Sequence, residues 1–221
     1  MKVKRRINYD VYTIALGIAV LFFISGIFVG DYFAYKKVES LDISQRAMSA
    51  LLSLSELKGE IIQNETSVYC NLSWSDVWAE KVAAGQLLAS LESKLGKTDP
   101  KIIEQKRIYN EVQFRTLKLV ESIKENCNLN WTIIIFFYTN SKNSTMGNYN
   151  QCELQGSALD TLYDRNKDNI KIFSFDVDAL DSLSQGLADY YNITRVPTLI
   201  INKAVFERFM SRNEITQIIN K

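Results

Sequence analysis

Histidine is absent from these 221 residues, which removes histidine-based catalytic triads and most zinc sites from consideration. No metal site and no cofactor are expected. Proline occurs only twice, so no proline-rich linker divides the chain. A dominant charge is also missing: the net charge is +1 with both signs spread along the sequence, which gives no footprint for nucleic acid. Cysteine occurs three times, too few for a dense disulfide framework, and an odd number leaves one thiol over. No internal repeat or low-complexity tract is present. A chain of this length holds one or two modest domains.

The first feature present is Val11 to Gly30, an apolar run of 20 residues without a charged side chain. As a helix it is long enough to span a bilayer. Lys2, Lys4, Arg5 and Arg6 precede it and Asp31 comes after it, an asymmetry that predicts a cytoplasmic N-terminus with the rest of the chain outside. The run exceeds a usual signal-peptide core, and no small-x-small cleavage site succeeds it, so we read an uncleaved single-pass signal anchor in the cell membrane. Residues 1–10 form the cytoplasmic tail in this reading, and 11–30 the span. Gly26 and Gly30 are spaced so that two membrane helices can approach closely, which points to a homodimer contact.

A helical region is expected over residues 31–129. Ala47, Leu51, Leu54, Leu57 and Ile61 make one apolar stripe at three- and four-residue steps. A second stripe is Val77, Ala84, Leu88, Leu91 and Leu95, opened by Ser73-x-x-Asp76 as a capping box. Tyr109, Val112, Thr116, Leu119 and Ile123 form the third. Between the last two lies Gly96-Lys97-Thr98-Asp99-Pro100, with glycine suited to C′, aspartate to the N-cap and proline to the first turn. The second and third helices should therefore form an antiparallel hairpin. Cys70 and Cys127 sit at its open end, and an outside compartment permits disulfides. Their pairing is favoured. The competing pair is Cys127 with Cys152, which would tie the helical region to the C-terminal part of the chain.

After Asn130 the period changes. Trp131 to Tyr138 reads as a buried strand, then come an Asn- and Ser-rich loop to Gln151 and a helix from about Cys152 to Asn166. Ile170 to Asp176 is a second strand and Leu180 to Tyr191 a helix. Thr198 to Asn202 and Val205 to Phe209 read as a hairpin, and Glu214 to Ile219 as a closing helix. The order is β-α-β-α-β-β-α, and the whole chain is of α plus α/β class.

The stretch Tyr191-Asn192-Ile193-Thr194-Arg195-Val196-Pro197-Thr198 puts proline directly before an apolar strand. This resembles the Val-Pro-Thr segment of the thioredoxin-like superfamily, over about residues 130–221. The resemblance implies a cis-proline that faces a redox-active Cys-x-x-Cys pair and can receive an extended peptide. Here the corresponding residues are Tyr149-Asn150-Gln151-Cys152, preceded by a loop longer than the family's usual connection. Cys152 then takes the second, resolving position, and Tyr149 the attacking one. Tyr149, Val196 and Pro197 become the substrate-facing residues. Read from its own surroundings, Cys152 at a helix N-terminus would favour a thiolate. A structural thiol, a working single thiol, and a thiol paired with another cysteine are the alternatives.

Five Asn-x-Ser/Thr sequons occur, at Asn64, Asn71, Asn130, Asn143 and Asn192. Asn64, Asn71 and Asn143 fall in expected loops and are the candidate glycosylation sites. Asn192 is better explained as the left-handed residue that ends a helix. Two functions are compatible with these residues. One is a membrane-anchored, non-catalytic module that holds an extended segment of an unknown protein partner beside Pro197. The other is an extracytoplasmic thiol–disulfide oxidoreductase or isomerase working through Cys152. A third reading makes the helical hairpin the working part and the α/β domain its scaffold.

Overall fold

A computed structural model describes residues 9–64, 70, 74–97, 99–179 and 181–220. The basic residues Lys2 to Arg6, the Asn71 sequon, Ser73 of the expected capping box, and Leu180 lie outside the described residues. Helix α1 spans Tyr9–Asn64. Contacts divide the chain into two compact units, Met1–Arg46 and Ala47–Lys221.

In the first unit, Tyr12–Phe33 is long and apolar enough to cross a membrane, and none of it is buried within the protein. The helix runs on past Gly30 because nothing stops it: no proline or glycine occurs between Gly30 and Gly59.

In the second unit, the buried face of α1 differs from the expected stripe. Met48 and Ser55 are buried, whereas Leu54 and Leu57 stay 46% and 56% exposed. Small Ser55 can be buried because its hydroxyl is satisfied locally, donating to Leu52 O at 2.7 Å. Glu56 beside it reaches Arg115 at 3.4 Å.

Helices α2 (Trp74–Leu95) and α3 (Pro100–Asn126) form the expected hairpin. Gly96 turns with φ +88°, a left-handed conformation that costs glycine little, and Asp99 caps α3 by accepting from Lys101 N–H at 2.9 Å. Lys106 and Glu92 pair across the hairpin at 2.9 Å, both largely buried. A Cys70–Cys127 disulfide, with Cα atoms 5.6 Å apart, closes its open end.

The hairpin leads into the sheet. Strands β1 (Thr132–Tyr138), β2 (Ile170–Asp176), β3 (Thr198–Ile201) and β4 (Ala204–Phe206) lie in the order β2-β1-β3-β4. β1 and β2 are parallel, so they need a crossover, which α4 (Tyr149–Arg165) supplies. The other pairs are antiparallel, and Asn202 (φ 48°) with Lys203 (φ 75°) makes the two-residue turn between β3 and β4. Strand β4 ends earlier than expected because its partner runs out: the Leu199–Phe206 register would set Arg208 opposite cis-Pro197, which precedes β3 and has no N–H to pair. Helices α5 (Ser182–Tyr190) and α6 (Arg212–Ile219) complete the fold.

Phe137, Phe173, Phe175, Leu159 and Leu162 centre the core, and Leu117 and Val120 of α3 belong to the same cluster. The hairpin thus packs on the sheet itself. It also closes the sheet's β2 edge. Gln113 of α3 donates to Ser174 O at 2.9 Å and accepts from Ser174 N–H at 3.0 Å, while Lys81 of α2 donates to Ile172 O at 2.8 Å. An edge strand exposes unpaired backbone groups, and here three of them are taken by side chains of the hairpin.

Candidate functional site

The site forms where the approach to β3 meets the start of α4. Asn192 (φ 53°) reverses the chain after α5, as its sequence position implied, and Ile193 N–H bonds Ala188 O at 2.9 Å. Thr194 is held by its N–H and hydroxyl on Glu207, at 3.0 and 2.9 Å, which lowers that carboxylate's pKa. Thr198 closes the turn from the other side, its hydroxyl donating to Arg195 O at 2.6 Å. Between these anchors the Val196–Pro197 bond is cis, and both residues are buried.

Opposite, the loop after β1 is pinned at its root. Thr139 donates to Asp178 at 2.5 Å and Asn140 to Asp176 at 2.9 Å. Its far end delivers Gly147 to Val196 as a parallel bridge, with Val196 N–H bonded to Met146 O at 2.9 Å. A Cβ on Gly147 would stand 1.9 Å from Val196 O, so only glycine fits this approach. Asn148 then caps α4 by accepting from Gln151 N–H at 3.2 Å.

A β-α-β-α-β-β-α unit with mixed strand order β2-β1-β3-β4, and a cis-proline facing the first crossover helix's entry, identifies the architecture. The fold is thioredoxin-like.

No protein-family model and no curated protein matches the sequence. Solved structures match part of it. One is a malarial protein, 22% identical over 41% of this chain and 96% of that one, with a TM-score of 0.34. Another is thioredoxin-2, a component of the malaria parasite protein secretion machinery, 24% identical over 41% of this chain and 82% of that one, TM-score 0.33. Chloroplastic thioredoxin z is 18% identical over 46% of this chain and 86% of that one, TM-score 0.33. These matches carry no part of the argument, and the fold assignment rests on the strand order and the placement of Pro197.

Helix α4 starts at Tyr149, three residues before the start expected from sequence. The signal overlooked was Asn148, one asparagine among several in a polar loop. The shift changes the chemistry of Cys152. Its N–H already bonds Asn148 O at 3.1 Å, and its side chain is 2% exposed. Burial raises the thiol's pKa, and the charges of Asp176 and Asp178 raise it further against one opposing bond from the Thr139 backbone. Burial thus works against the helix-terminus effect expected from the sequence, and the thiol's pKa is raised rather than lowered. It lines a cavity of about 230 Å³ with Tyr138, Thr139, Asn140 and Asp160. Asp176 next to it also has a raised pKa, chiefly from burial.

Tyr149 occupies the first turn of α4 and its hydroxyl bonds Glu153. Cys70 and Cys127 are bonded to each other, so Cys152 is the free cysteine. Among the described residues no cluster of three or more potential metal ligands occurs. Asn143 is exposed in its loop, whereas Asn64 is the last residue of α1 rather than a loop residue. Nothing lies within 4 Å of a Cβ placed on Gly26 or Gly30.

Proposed function

We propose that this chain is a single-pass membrane protein whose extracytoplasmic part carries a thioredoxin-like module that binds an extended polypeptide segment beside Pro197 and does not exchange thiols. One observation carries the reading. The only free thiol is buried, with its pKa raised by that burial, and a tyrosine opens the helix three residues before it, where the resemblance would place an attacking cysteine. Exchange requires a thiolate with access to a disulfide and a resolving thiol within reach. Cys152 has no second thiol to work with, because the other two cysteines are spent on each other.

What remains of a thioredoxin-like site without its chemistry is its shape: a rigid turn at Val196–Pro197 whose main chain an extended segment can pair with. The Cys70–Cys127 disulfide supports an oxidising location, in keeping with a cytoplasmic N-terminus and an outer C-terminal domain.

The test is insulin reduction driven by dithiothreitol, with the full-length protein in detergent. Wild type should match the uncatalysed rate. Tyr149→Cys should form an internal disulfide with Cys152 and gain exchange, since a thiol in the first turn of α4 has its pKa lowered there. Wild-type turnover that disappears in Cys152→Ser would make this protein an oxidoreductase.

A further inference from the structure

We propose that residues 144–147 are an internal strap that occupies the pairing position beside Pro197, so that an extended polypeptide pairs with Val196 only after the strap leaves. This rests on the reading of Pro197 as a docking point. It adds that the docking point is closed in the resting protein by the chain's own loop.

Three observations place the strap there. Val196 N–H, the main-chain donor flanking Pro197, is already used by Met146 O at 2.9 Å. Gly147 lies so close to Val196 O that a single added carbon would collide at 1.9 Å. Paired strands run about 4.8 Å apart, so no second chain fits between the loop and Val196. Lastly, the segment is shaped for the position: Met146 is half-buried against the core, and its N–H is satisfied by the Ser144 hydroxyl at 3.2 Å.

The strap is attached at two ends and held weakly between them. Thr139 and Asn140 fix its root through Asp178 and Asp176, and Asn148 fixes its exit as the cap of α4. In between, it meets the Pro197 segment through the isolated Gly147–Val196 bridge, with Val196 N–H on Met146 O, and through one methionine side chain. A site closed in this way binds with an affinity reduced by its open fraction. The net worth of one isolated backbone bridge with part of a methionine contact sets that reduction at roughly tenfold.

Full-length protein in detergent, with fluorescein-labelled, reduced and carboxymethylated insulin B chain as the probe, tests this by anisotropy and amide hydrogen exchange. In Gly147→Ala the Val196 amide should exchange at least tenfold faster, and the probe should bind about tenfold tighter than to wild type. Unchanged exchange at Val196 overturns the strap. A freed Val196 with equal binding to both proteins also overturns it, and leaves docking beside Pro197 standing. A freed Val196 with no binding to either protein overturns the docking reading itself. If Gly147→Ala does not fold, wild type still decides. Saturating probe should speed exchange of the Met146 amide severalfold as the strap is displaced, and no change there overturns the proposal.

Discussion

Replacing Gln113 by leucine removes the side chain that completes the β2 edge. Gln113 is fully buried, and its carboxamide holds both backbone groups of Ser174. The leucine is close in volume, so the cavity term is small, and the loss is that of two satisfied backbone groups. Each costs about 1–3 kcal/mol when buried without a partner. Added apolar burial offsets part of this, which leaves a net loss of about 3 kcal/mol, a large share of the 5–15 kcal/mol typical of a domain. Urea denaturation of the full chain, monitored by tryptophan fluorescence, gives the global number. Hydrogen exchange at the Ser174 amide gives the local one, which should rise sharply. Gln113→Glu separates the two bonds. It keeps an acceptor for Ser174 N–H and loses the donor to Ser174 O. Its buried carboxyl should have a raised pKa, so its stability should recover as pH falls below that value. A Gln113→Leu loss under 0.5 kcal/mol with unchanged Ser174 exchange would show that the hairpin does not close the sheet edge.

Three further outcomes are expected. Reducing the Cys70–Cys127 bond, which spans 57 residues, should cost about 4 kcal/mol on the chain-entropy account, and an unchanged urea midpoint under reductant would contradict it. Burial lowers the Lys81 pKa to about 8 from 10.5, so the folded state binds fewer protons than the unfolded one, and this group's contribution to stability is lost as pH falls toward 8. Wild type should gain about 1.5 kcal/mol relative to Lys81→Met on going from pH 8 to about pH 9.5, and parallel pH profiles would refute the assignment. A cysteine reporter appended after Lys221 should react with membrane-impermeant maleimide in intact cells, and labelling only after lysis would reverse the proposed topology.

Local signals carried much of the fold. The Gly96–Pro100 turn, the β-branched run of β1, the Ile170–Asp176 strand and Pro197 before β3 are each specified by residues within a few positions of one another. The disulfide came out of that hairpin geometry, since closing α2 against α3 brings Cys70 to Cys127. Contacts between distant segments were not legible. Gln113 and Ser174 are 61 residues apart, and a buried glutamine in a helix reads as a surface residue until its partner is known. Gly147 looked like one more loop residue because its constraint comes from the carbonyl of Val196. The buried face of α1 was misread for a related reason. Met48 with Ser55 and Leu54 with Leu57 lie on neighbouring faces of the same helix, and the less apolar one is buried. At Cys152 the helix start decided the chemistry, and an Asn-rich loop offered several equivalent caps.

The proposed function requires that Cys152, the buried free thiol whose pKa burial raises, take no part in exchange. Reaction of the native, non-reduced protein with 5,5′-dithiobis(2-nitrobenzoic acid) at neutral pH measures this directly. Native protein should release almost no thionitrobenzoate over many minutes, and denaturation without reductant should then release one equivalent, from Cys152. Rapid release of a full equivalent from the native protein would mean an accessible thiolate and would contradict the account.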